Sequence, residues 1–151
     1  MTENPTTVNF AVIFFLNSLI VAIAIVIHYE ILHQLSIYIP RLSIRHRLRV
    51  VCGIFGALMA HITEVWLFAF GYYFMVHSQG FGSLQGNFDE SLLDCSYFSI
   101  ITYTSLGIGD IEPIGPLRFL AGLEALTGLV LITWTASFMF IEMTKFWNDK
   151  N

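Results

Sequence analysis

The chain has 151 residues, of which 56% are hydrophobic and only 12% charged, with a formal net charge of −4. Soluble domains carry about 25% charged residues, and the mean hydropathy of +0.69 points the same way. A soluble globule, a disordered chain and a basic nucleic-acid binder are therefore excluded, and two cysteines make no disulfide framework.

The first apolar segment, residues 10–27, reads FAVIFFLNSLIVAIAIVI, with Asn17 and Ser18 its only polar side chains. That length suits a membrane-spanning helix. A signal peptide is the rival reading, but it wants a basic leader, and MTENPTT carries only Glu3. An uncleaved helix within residues 1–33 is the expectation. A second span is expected over 50–77, with Glu64 its single acid, and a third over 117–147, with Arg118 and Glu124. Pro5, Pro40, Pro113 and Pro116 all lie outside these spans. The expected fold class is an all-α membrane protein with three transmembrane helices.

The connection over residues 34–49 holds Arg41, Arg45, Arg47 and Arg49, four of the seven Lys and Arg residues. The positive-inside rule puts it in the cytoplasm. The N-terminus is then outside, and Lys145, Lys150 and a short tail over 148–151 are cytoplasmic. Asp89, Glu90, Asp94, Asp110 and Glu112 fall on the external side, so the charge map is self-consistent. Ile37, Ile39, Leu42, Ile44 and Leu48 interleave with the arginines. The segment either lies on anionic lipid or is a solvated topogenic loop. It is no voltage sensor, whose arginines recur within a membrane helix.

Between the second and third spans, Gly80, Gly82 and Gly86 mark a loop. SLLDCSYFSIITYT follows, and a helix of about a dozen residues there would be about 18 Å long, too short to cross. It is expected to be a re-entrant helix over 91–103, with Asp89 or Ser91 as N-cap. Non-helical backbone at membrane depth survives only where protein buries it or where it lines a watery cavity. The next residues, Thr104-Ser105-Leu106-Gly107-Ile108-Gly109-Asp110, alternate glycines. Such a stretch can adopt left-handed backbone cheaply and turn successive carbonyls toward one axis, where several copies would replace a cation's hydration shell.

YFSIITYTSLGIGDIEP resembles the pore loop of potassium channels, whose filter usually reads T-V-G-Y-G-D, and LEALTG is similar to the inner-helix start of bacterial two-transmembrane channels. The resemblance covers about residues 48–147 and leaves the first helix as an extra. It implies a homotetrameric pore with potassium ions bound along Thr104, Ser105, Leu106, Gly107, Ile108 and Gly109, the carbonyls of Ser105 to Ile108 forming the rings. It also implies that Thr102 and Thr104 end the pore helix, that Asp110 caps the outer mouth, and that Tyr97 and Phe98 pack around the filter. Three positions depart from the family pattern: Ser105 stands for threonine, Leu106 for valine, and Ile108 for the tyrosine or phenylalanine that props the filter.

Around this loop, Glu124 is expected behind the filter, bonded to the pore helix. Gly128 reads equally as a hinge or as a close-packing contact. Thr133 and Ser137 share a helix face and either line a wet cavity or bond to their own helix carbonyls. Phe140, among Phe138 to Ile141, is a candidate constriction. His61 and Glu64, three apart on one face, form a structural pair, a pH sensor or part of a metal site. Cys52 and Cys95 fall at opposite membrane faces, too far apart for a disulfide. There is no nucleophile–base set, phosphate loop or zinc spacing.

The expected function is a passive cation channel, most consistent with potassium, in a bacterial cytoplasmic membrane. It needs no cofactor and binds no transition metal. Its partners are its own copies, membrane lipid and a separate regulatory protein. Three readings compete: a non-selective cation pore, a non-conducting accessory subunit, and a membrane metal or redox protein using His28, His33, His61 and His77.

Overall fold

Helix α1, Phe10–Tyr38, starts where the Asn9 side chain accepts a hydrogen bond from the Ala11 N–H. It runs on until Pro40 enters a short 3₁₀ turn, Ile39–Arg41. The computed structural model describes residues 9–148, apart from the side chains of 46 and 145–148. The expectations for Glu3, for Lys145 and Lys150, and for most of the 148–151 tail lie outside that description. Helix α2, His46–Val76, is followed by strand β1, Ser83–Gly86, helix α3, Leu92–Tyr103, strand β2, Ile111–Ile114, and helix α4, Leu117–Asn148. Three of the helices are long and apolar enough to cross a membrane.

Two boundaries differ from the sequence-based expectation. Helix α1 continues past residue 33 to Tyr38, and α2 begins four residues before Val50. The basic connection thus shrinks to a tight turn. No continuous interfacial helix forms in it, because Pro40 interrupts the chain and Ile39 is buried. Arg49 folds back, its Nε and Nη2 donating to the Leu42 carbonyl at 3.0 and 2.7 Å. Arg41 sits 6.0 Å from the Tyr38 ring centroid, while Arg45 and Arg47 remain exposed.

The glycine-rich stretch between α2 and α3 holds one strand of a small antiparallel pair as well as loop. Ser83 faces Ile114 and Gly86 faces Ile111 across the β1–β2 ladder. This clasp joins the approach to α3 with the exit from residues 104–110, so the short helix and the segment after it are held at both ends. Alternation with polar residues is short here, and the strands are only four residues each.

The core lies where α3 meets α2 and α4. Phe68, Ala69, Tyr72, Phe98, Ile101, Tyr103, Leu117 and Leu120 are buried together. Helix α1 lays a narrow stripe against this bundle, with Ile13, Asn17, Ala24, His28 and Leu32 buried. The outward faces carry Phe15, Val26, Phe55 and Leu129, each more than half exposed. Such a surface is excluded from water and suits lipid or further copies of the chain.

Candidate functional site

Helix α3 is built to end at the glycine segment. The Ser91 hydroxyl is its N-cap, accepting from the Asp94 N–H at 3.0 Å. Asp89 accepts from the Ser91 N–H at 2.8 Å, and Asp94 from the Asp89 N–H at 2.9 Å. The bonds from Ser91 hold the Asp89 carboxyl below the usual carboxylate range. Burial pushes the Cys95 thiol up to about 11, so it stays protonated and inert. Cys52 and Cys95 are both free.

At its other end, α3 closes on Thr104, whose hydroxyl donates to the Ile100 carbonyl at 2.7 Å. The next backbone is tethered to the helix by Ser105 N–H to Thr102 O at 2.9 Å and Gly107 N–H to Ile101 O at 3.1 Å. Ser105, Gly107 and Gly109 all have positive φ, at 56°, 54° and 83°. Left-handed backbone at every second residue is costly for Ser105 and cheap for the glycines. Leu106 and Ile108 between them are 66% and 58% exposed, so neither side chain is packed within one chain. An open groove of about 270 Å³ runs beside this segment, lined by Phe98, Thr102, Ser105 and Ala125 among others.

Two braces hold the segment from behind. Tyr97 donates its phenol to Asp110 Oδ2 at 2.9 Å. That bond raises the phenol above its ordinary range, so it remains a donor at neutral pH. Asp110 Oδ1 is buried and has no hydrogen-bond partner among the described residues. The second brace is Glu124 on α4, which is fully buried. It receives Tyr72 Oη at 2.5 Å and meets Ser99 Oγ at 2.5 Å, and Ser99 Oγ also lies 2.8 Å from the Val65 carbonyl. One serine proton cannot serve two acceptors. All three links close when Glu124 carries a proton of its own. Phe98 packs edge-to-face on Tyr72, with centroids 4.9 Å apart.

Gly128 is a packing position. A Cβ there would lie 2.1 Å from the Tyr103 carbonyl oxygen, so its absence lets the end of α3 rest on α4. Helix α4 continues through it without a break. Thr133 and Ser137 are exposed, and their hydroxyls bond to the carbonyls of Leu129, Val130 and Thr133 on their own helix. Phe140 is 65% exposed.

His61 and Glu64 belong to a larger assembly. Glu64 Oε1 lies 2.7 Å from His28 Nδ1 on α1, and Glu64 Oε2 accepts the Tyr103 phenol. His61 Nδ1 lies 2.9 Å from Tyr103 Oη and 3.3 Å from Glu64 Oε2. Thr135 Oγ1 on α4 stands 3.2 Å from His28 Nε2 and 3.1 Å from His61 Nε2. All four helices therefore meet in one closed polar ring. The ligand-type atoms of His28, His61 and Glu64 fall within 4.8 Å, yet each already faces a neighbour inside the ring. The four-histidine set considered for a metal or redox protein does not assemble. His33 stacks on Tyr29, and His77 bonds to the Tyr73 carbonyl at the far end of α2.

Sequence reasoning missed Tyr72 and Ser99 as partners of Glu124, Tyr103 as a partner of Glu64, and Thr135 as a partner of His28 and His61. The available signal was a polar atom on each helix at matching depth, but no spacing within one segment relates them.

A family model described as an ion channel matches residues 49–145, which includes α3 and the glycine segment and leaves α1 outside. No curated protein and no solved structure gives a match. With three apolar spans and a tethered re-entrant helix, this is an integral membrane protein of the channel class. The chain belongs to the potassium-channel-like, two-transmembrane ion channel family.

Proposed function

We propose that the protein is a passive, potassium-conducting channel whose selectivity filter is residues 104–110. The observation that carries this reading is the left-handed backbone at Ser105, Gly107 and Gly109, tethered to the end of α3. Alternating handedness directs successive carbonyls to one side, and rings of such oxygens replace an ion's water shell. The carbonyls of Ser105 to Ile108 do this work. The C-terminal end of α3 adds a partial negative charge that favours a cation below the filter.

A ring of carbonyls requires several copies, and four is the number the resemblance implies. The exposed Leu106, Ile108 and Leu126 support that assembly, because a neighbouring copy would cover them. Asp110 Oδ1, buried and unpartnered among the described residues, is a group that assembly can satisfy. Thr133 and Ser137 then face the inner cavity, and Phe140 constricts its lower end. Arg45 and Arg47 meet anionic lipid on the cytoplasmic side of a bacterial inner membrane, with the N-terminus outside.

The test is ion flux into liposomes holding the purified protein, under opposed potassium and sodium gradients. Potassium-favouring flux blocked by barium is the expected result. A second reading, a weakly selective cation pore, draws on Ile108: an aliphatic side chain 58% exposed in one chain offers no hydrogen bond to α3. Equal flux of both ions would establish it. Absence of flux at every pH would overturn both in favour of an accessory subunit.

A further inference from the structure

The ring of Glu64, His28, Thr135, His61 and Tyr103 closes through five links, and each link needs one proton between its two heavy atoms. Thr135 and Tyr103 bring one proton each, each neutral imidazole brings one, and a carboxylate brings none. Four protons cannot close five links. A fifth closes every link and brings the net charge to zero. Two arrangements satisfy the geometry: a protonated Glu64 with two neutral imidazoles, or a Glu64 carboxylate with one imidazolium.

We propose that this ring is a proton-binding site that holds one exchangeable proton per chain and that the filter is supported only while the proton is present. Glu64 and His28 are fully buried, so the proton-free ring leaves a net negative charge in an apolar interior. It also leaves one link with two lone pairs facing each other. Both features are costly. Every packed element contributes a group: His28 from α1, His61 and Glu64 from α2, Tyr103 from α3, and Thr135 with the Trp134 indole from α4. The other buried acid of α4 near α3, Glu124, bonds to Tyr72 and Ser99 and not to the ring.

The route to the pore is short. Tyr103 is the last residue of α3, its carbonyl rests on Gly128, and Thr104 and Ser105 follow directly. Loss of the proton loosens the Tyr103 phenol from its partners on α2, His61 and Glu64. The flux consequence rests on the channel reading above, whereas proton binding does not.

Infrared difference spectra between about pH 6 and about pH 10 test the site directly, on wild-type protein and on Glu64→Gln. A glutamine amide supplies the fifth hydrogen permanently while still accepting from Tyr103, so its ring is complete at every pH. The expected result is a carboxyl or imidazole step in the wild type that is missing in Glu64→Gln. Thr135→Val removes two links, leaving three protons for three links, and its step is expected at lower pH. In liposomes, wild-type flux should fall about tenfold per pH unit above the step, and flux through Glu64→Gln should not follow pH. A wild-type step retained in Glu64→Gln, or left in place by Thr135→Val, overturns the proposal. An intact infrared step with no flux at any pH leaves the proton site standing and overturns the channel reading.

Discussion

The buried acids Glu64 and Glu124 flank helix α3, and their surroundings treat them differently. Glu124 meets only hydroxyls, from Tyr72 and Ser99. Neither can hold a positive charge, so the proton that closes these links sits on Glu124 itself, and the acid braces α4 against α2 and α3. Glu64 meets a phenol and two imidazoles. An imidazole can take the proton, so neutrality around Glu64 is shared and reversible. The same side chain is a strut in one place and an exchangeable site in the other, and the neighbours alone decide which.

Truncation at the ring should have the largest effect. Glu64→Ala strips partners from His28, His61 and Tyr103, and each buried polar group left unpaired costs about 1–3 kcal/mol. Loss of the folded assembly in detergent, followed by thermal melting and size-exclusion chromatography, is the expected outcome. Wild-type melting of the Glu64→Ala protein would show that the ring does not hold the helices together.

Gly128→Ala separates the two regions more finely. Its new Cβ would sit 2.1 Å from the Tyr103 carbonyl, so the end of α3 must move while Ser99 and Glu124 need not. A destabilisation of about 1–3 kcal/mol is expected from overpacking of this kind, and the wild-type infrared step should shift with it. If Gly128 served as a hinge instead, melting would be unchanged and only gating kinetics would respond.

The smallest effect belongs to Glu124→Gln. The amide can accept from Tyr72 and donate to Ser99, replacing a protonated carboxyl link for link. Stability should change by less than about 1 kcal/mol, with the pH profile of flux unaltered. An altered profile would mean that Glu124 titrates in the working range and that the contrast with Glu64 fails.

Several features could be read from local sequence. The spans follow from apolar length, the helix start at Ser91 from a hydroxyl ahead of an acid-bearing first turn, and the glycine alternation from residues a few positions apart. Each is a property of contiguous chain, which one segment displays without reference to another. The short β1–β2 clasp was not legible, because Ser83–Gly86 carries no strand pattern of its own and pairs only because Ile111–Ile114 is brought beside it. The pairing of His61 with Glu64 followed from a three-residue spacing, but its completion did not.

What the sequence determined by itself is the class: an apolar, three-span chain with one glycine-alternating segment after a short helix, because length and hydropathy act within each segment. What the tertiary structure decided is which faces meet. His28 and Thr135 lie 107 residues apart, Glu64 and Tyr103 39 apart, and Ser99 and Glu124 25 apart. No periodicity relates such positions, since the rotation of one helix against another is set by packing around Tyr103 and Gly128. That packing turns a histidine in an apolar span into a member of a proton-holding ring.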